Sequence, residues 1–137
     1  MTWRFWFAMA VSAGAVACAP ARPTPEVGRA TYQANCTGCH GAGGQGDGTV
    51  AGLVFGGAPD LTRLSARNGG TFPDARVMSV IDGYTRRQQH GGVMPEFGPL
   101  LEGRKVLWRA PDGTLTPTPV KLVALAEYLQ TIQVTED

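Results

Sequence analysis

Two cysteines, a histidine and a run of glycines stand together in "QANCTGCHGAGGQGDG", residues 33–48. Cys36, Cys39 and His40 place three metal- or carbon-reactive groups within five residues. Such a cluster serves metal chelation, disulfide exchange or covalent haem attachment. A structural zinc site takes four ligands, commonly as two separated pairs. Beyond the N-terminal segment only His90 remains as a further Cys or His. Adjacent Cys39 and His40 are also badly placed to ligate one tetrahedral ion. A redox Cys-x-x-Cys belongs near a βαβ pattern, which this chain lacks, and it leaves His40 without a role. As Cys-x-x-Cys-His every residue is used. Both thiols add to the vinyl groups of a haem and become thioethers, and His40 ligates iron through one imidazole nitrogen.

The rest of the chain must carry that cluster to the right place and fold around it. The 137 residues are enough for one domain, and 43% apolar content permits a packed core. A formal charge of +1 argues against a general nucleic-acid binder, so no nucleic acid is expected among the partners. Nineteen glycines and ten prolines, spread along the chain, indicate a loop-rich fold. "MTWR" followed by the 13-residue apolar run Phe5 to Ala17 has the form of an export signal. The run is shorter than the roughly 20 residues a spanning helix needs, although an uncleaved anchor is the alternative. Bacterial haem attachment follows export, so this signal supports the haem reading of the cluster. "AVAC", residues 15–18, resembles the lipobox of bacterial lipoproteins, with Cys18 as the lipid-bearing residue. Leu is usual where Ala15 stands, and cleavage by ordinary signal peptidase after Ala17 or Ala19 stays open. Loss of residues 1–17 removes Arg4 and no acid, leaving 11 basic and 11 acidic residues. Residues 18–26, with three prolines, read as a stiff tether, and residues 27–137 as the domain.

Within the domain, "EVGRATYQANC" (26–36) suits a short helix, and glycine is too dense from 38 to 57 for regular structure. "PDARVMSVIDG" (73–83) reads as a helix with Pro73 in its first turn and Gly83 at its end. Val77, Met78 and Ile81 share one face of it. "RRQQHGGVMPEFGP" (86–99) reads as loop. "KVLWRAPDGTLTPT" (105–118) offers an Asp112-Gly113 turn between two short apolar runs, a hairpin pattern that its prolines oppose. "PVKLVALAEYLQTIQ" (119–133) is the strongest helix, with Leu122, Leu125, Ala126, Leu129 and Ile132 along one side.

"GRATYQANCTGCHGAGGQGDG", residues 28–48, resembles the opening of a bacterial class I c-type cytochrome. Gly28, Tyr32, Cys36, Cys39, His40 and Gly41 match the pattern Gly-x-x-x-aromatic followed by Cys-x-x-Cys-His-Gly. Leu125 and Tyr128 match the Leu-x-x-Tyr of the last helix. The resemblance runs from about Glu26 to Gln133, with Arg104 to Pro119 as a departure. It implies an all-α cytochrome c fold: three to five helices around one covalent haem c, long Gly-rich loops, and first and last helices in close contact at the glycine. "VMPEFG" resembles the axial methionine segment, which makes Met94 the sixth ligand. Met78 on its helix face, His90 in its loop, and an open or water-bound site are the alternatives. "GAPDL" (57–61) resembles the segment whose proline carbonyl accepts a proton from the proximal histidine, which gives Pro59 that role toward His40. Arg86 and Arg87 are either a basic rim for an acidic partner or plain solvated surface. Phe97 and Trp108 either cover the haem or pack the core. The function this implies is one-electron transfer in the periplasm, with a redox donor and acceptor, and no enzymatic chemistry of its own. Membrane tethering would come through Cys18 or an anchor. Two rivals stand beside it: a gas-binding or peroxidase-like haem protein with a displaceable sixth ligand, and a fixed electron-transfer subunit of a dehydrogenase or oxidase.

Overall fold

The computed structural model describes residues 22–54, 56–85 and 94–134. The signal segment, Cys18, His90, Arg86 and Arg87 lie outside the described residues. Helix α1 is Pro25–Asn35. Thr24 caps it in extended conformation, its hydroxyl accepting from the Val27 N–H, and Pro25 supplies a first residue with no N–H to satisfy. Cys36 closes α1 and starts the single turn α2, Thr37–His40, which stops at Gly41. The glycine-rich stretch then folds back on that turn. Gly46, Gly48 and Val50 donate to the carbonyls of His40, Cys39 and Gly38 at 2.9, 3.2 and 2.9 Å. A Cβ on Gly48 would overlap the Gly38 carbonyl, so this return path requires glycine there.

Three short 3₁₀ turns (Ala51–Leu53, Leu61–Arg63, Ala66–Asn68) lead to helix α3, Asp74–Asp82. Pro73 sits just before it, and Gly83 ends it at φ 99°. Val77, Met78 and Ile81 are its buried side. After one turn, α4 (Gly98–Leu101), comes an antiparallel hairpin: β1, Lys105–Arg109, and β2, Leu115–Pro119. Its turn is held by Ala110 N–H donating to the Thr114 carbonyl and by the Asp112 carboxylate accepting from Thr114 N–H. The last element is α5, Val120–Thr131.

The hairpin corrects the all-α expectation. The other regular elements of the described chain are helical, five α-helical segments and three 3₁₀ turns, but residues 105–119 form a two-stranded sheet. The prolines are accommodated by register. Bonds at Ala110–Thr114 and from Val120 N–H to the Arg104 carbonyl mark the even-numbered positions as the paired ones. Pro117 and Pro119, opposite Leu107 and Lys105, fall at the intervening positions, where an N–H would point away from the partner strand.

Helix α5 is also buried more completely than a one-sided stripe predicts. Val120, Val123 and Ala124 are buried as well as Leu122, Leu125 and Leu129. The reason is its central place: α1, α3 and the hairpin all pack on it. Its contact with α1 is the closest. A Cβ on Gly28 would overlap the Ala124 carbonyl and crowd the Tyr128 Cβ. Next to this crossing the Tyr32 and Tyr128 rings meet with centroids 5.3 Å apart, tilted by 52°.

Two outcomes follow from this packing. Gly28→Ala should lower the unfolding free energy in chemical denaturation by about 3 kcal/mol, since the helices must part to admit one methyl. Burial, with Asp74 nearby, pushes the Glu127 carboxyl up from its ordinary value. A carboxyl raised in the folded state favours folding at acidic pH and loses that contribution as pH rises through its folded value. Glu127→Gln should therefore raise the thermal midpoint at neutral pH, with the gain vanishing below the ordinary carboxylate range.

Candidate haem site

Cys36, Cys39 and His40 are placed by one helical turn. The Cys36 N–H donates to the Tyr32 carbonyl at 2.8 Å, and the His40 N–H to the Cys36 carbonyl at 2.9 Å. Both cysteines are half-buried. Burial, then the neighbouring Cys39, pushes the Cys36 thiol up to about 11. A disulfide-exchange nucleophile needs the opposite shift. Among the described residues no three His, Cys, Asp or Glu side chains converge as a metal-ion cluster.

His40 is only 7% exposed, and its Nδ1 lies 3.1 Å from the Pro59 carbonyl oxygen. A carbonyl only accepts, so Nδ1 carries the proton and Nε2 keeps its lone pair. Burial lowers the His40 imidazole below its ordinary value, with the Pro59 carbonyl opposing. A neutral ring held by one nitrogen is the form that ligates a metal. The carbonyl of the next residue, Gly41, is fixed as well: the Tyr32 hydroxyl donates to it at 2.7 Å. Burial pushes the Tyr32 phenol upward, so it stays a donor. Gly41 itself sits at φ 78°, where a Cβ would overlap the Asp47 carboxylate.

Cys36, Cys39, His40, Pro59 and Met94 all line one cavity of about 810 Å³. That volume is within the range of ~300–1,000 Å³ typical of cofactor pockets. Leu61, Leu64, Val77, Ile81, Leu125 and Leu129 give it an apolar wall drawn from three parts of the chain. Met94 is half-buried against the core at this wall. Met78 is buried in the core and does not line the cavity. Phe97 lines it, whereas Trp108 packs on the core away from it, which separates two residues the sequence left together. Two thiols for the vinyl carbons, a neutral imidazole, a thioether and an apolar wall fit a covalently held haem.

A family model described as cytochrome c oxidase, cbb3-type, subunit III matches residues 23–108. The chain belongs to this family. It is a c-type cytochrome, it carries covalently bound haem c with its iron, and it works in haem-based electron transfer with redox partners. No curated protein and no solved structure matches it. No helix among the described residues is long and apolar enough to cross a membrane.

Several groups of this cytochrome's site escape a sequence reading. The Tyr32 hydroxyl is one, although Tyr32 itself stands in the family pattern. Leu61 and Leu64 had a weak signal, three residues apart just after Pro59. Arg67 and Arg76, which also line the cavity, had none. Tyr32→Phe removes the donor from a buried carbonyl beside His40. It should cost about 1–2 kcal/mol in denaturant unfolding of the haem-loaded protein, with the haem still attached.

Proposed function

We propose that the chain is a one-electron carrier holding a single haem c, ligated by His40 and Met94, in an exported redox chain. The observation that carries this reading is the gathering of both cysteines, the oriented His40 and Met94 on the wall of one cavity. Cys36 and Cys39 would each add S–H across a vinyl double bond, sulfur to one carbon and hydrogen to the other. Their two-residue spacing on one turn keeps the attachment rigid. The bound haem supplies the one-electron chemistry. Pro59 holds the proximal imidazole in one tautomer and strengthens its basicity. Met94, with Pro95 stiffening the backbone beside it, supplies the thioether of a Met/His pair, which raises the potential and closes the iron to small ligands. The apolar wall excludes water, so little has to reorganise when charge changes. The export signal and Cys18 support a periplasmic site of action, tethered to the membrane by lipid at Cys18.

The family's description as an oxidase subunit favours a second reading: a fixed electron-transfer module of a larger complex. Isolation from native membranes with a stoichiometric partner would support it, and recovery as a free protein would support the carrier.

The deciding measurement is the optical spectrum of the oxidised and reduced protein. The oxidised wild type should show the near-infrared charge-transfer band of a methionine–iron bond. Met94→Ala should lose the band, lower the midpoint potential and let the reduced protein bind carbon monoxide. Haem without the band in wild type, or carbon monoxide binding there at neutral pH, would reverse the assignment in favour of a ligand-binding protein.

A further inference from the structure

The Pro59 carbonyl orients the His40 ring, yet residue 59 stands in a loop, and such a carbonyl is only as fixed as the chain that carries it. Just after it comes one 3₁₀ turn, Leu61–Arg63, and a single turn of this kind carries little stability of its own. The loop has to be held from outside.

One side chain on another element does this. Gln133 stands just beyond the end of α5 and is half-buried. Its Nε2 donates to the Leu61 carbonyl at 2.8 Å and to the Leu129 carbonyl at 2.7 Å. Its Oε1 accepts from the Ser65 N–H at 2.8 Å. Carbonyls only accept and an N–H only donates, so one orientation of the amide satisfies all three partners. Leu129 lies in the last turn of α5, where carbonyls have no N–H ahead of them in the helix. The same amide therefore caps the helix and grips the loop. The next residue adds a backbone tie: the Val134 N–H donates to the Thr62 carbonyl at 2.9 Å.

These bonds reach the site by a short path. The Leu61 N–H donates to the Gly44 carbonyl at 2.7 Å, within the glycine-rich return over the turn that carries His40. Leu61 is thus held from two sides, by that return and by Gln133, just after the residue whose carbonyl lies 3.1 Å from His40 Nδ1. Leu61 and Leu129, whose carbonyls share the amide, both line the cavity.

We infer that Gln133 is a positioning residue for His40: by pinning Leu61 and Ser65 to the end of α5, its amide holds the Pro59 carbonyl on the imidazole and so sets how strongly that ring donates to the haem iron. The inference rests on the reading of His40 as an iron ligand. A firmly held Nδ1–H bond raises the basicity of a ligating imidazole. A more basic ligand favours the ferric state, so a loosened loop shifts the equilibrium toward ferrous.

The test uses the haem-loaded protein and two readouts that a merely stabilising side chain would leave alone. One is the midpoint potential, and the other is exchange of the His40 Nδ1–H with solvent, followed by NMR in the reduced state. Gln133→Leu keeps apolar bulk and removes all three side-chain bonds. It should speed that exchange about tenfold, the loss of one such bond's net worth. It should also move the reduction equilibrium about threefold toward ferrous, which is ~28 mV for one electron. Gln133→Glu keeps an acceptor for Ser65 but brings no donor to Leu61, and should change both readouts in the same direction. Gln130→Leu, exposed in the same last turn of α5, should change neither. Wild type offers a test without any variant: the Ser65 N–H and the His40 Nδ1–H should exchange through one opening, with the same dependence on denaturant. Haem-loaded Gln133 variants with wild-type exchange and potential would overturn the inference. So would a wild-type His40 ring proton that exchanges while the Ser65 N–H stays protected. A reduced wild-type spectrum without a ring-current-shifted His40 ring would instead overturn the ligand assignment, and the inference with it.

Discussion

The contact of Gly28 with the backbone of α5 sets the rest of the structure. Without a side chain there, α1 lies against the Ala124 carbonyl and the Tyr128 Cβ. That depth of approach buries Tyr32 completely and turns its hydroxyl onto the Gly41 carbonyl. The end of α1, with Cys36, and the turn carrying Cys39 and His40 are thereby fixed relative to Leu125 and Leu129 on α5. A missing methyl group at one position thus registers the attachment turn against the wall that must enclose the cofactor. The glycine-rich return from 41 to 60 then brings Pro59 to His40, and its dense glycines are needed because it runs backbone to backbone over the turn it serves.

The electrostatics of the site follow the same economy of contacts. A buried imidazole is kept neutral by desolvation and oriented by one carbonyl, so no counter-charge has to be buried with it. The wall between the cysteines and the rim is largely hydrocarbon. Among the described residues, the charge at the cavity comes from Arg67 and Arg76, both exposed to solvent. In the proposed reading, any stabilising of one oxidation state over the other would fall to three separable features: the side chains offered to the iron, the dryness of the wall, and the charge at its rim.

Local features of the sequence translated well. Helix α3 and the ends of α1 and α5 follow from proline at the start and glycine or loop at the end, which act within a few residues. Cys36, Cys39 and His40 were legible for the same reason, because a single turn places them. The contact of Pro59 with His40 was suggested by resemblance alone, and Met94 by resemblance and its place in a loop, since nothing local carries residue 59 or 94 to this cavity. The all-α expectation missed the sheet because the prolines of 115–119 were weighed by composition. Their effect depends on alternate register, which a strand's partner decides. The one-sided pattern of α5 understated its burial because alanine and valine fill its other sides, where helices and hairpin approach. Arg67 and Arg76 resemble every other surface arginine in sequence, and only the cavity distinguishes them.

The hairpin shows how such a fold absorbs added length. The Val120 N–H donates to the Arg104 carbonyl, so the segment leaves and re-enters the helical body at almost the same point. An excursion with adjoining ends leaves the elements before and after it in place, and lengthening a closed loop costs entropy only logarithmically. Val106 and Trp108 are turned toward the core and offset part of that cost with apolar burial, while Leu107 on the other face stays exposed. The departure from the minimal family pattern at 104–119 therefore adds surface to the molecule without touching the wall that Cys36, His40 and Met94 share.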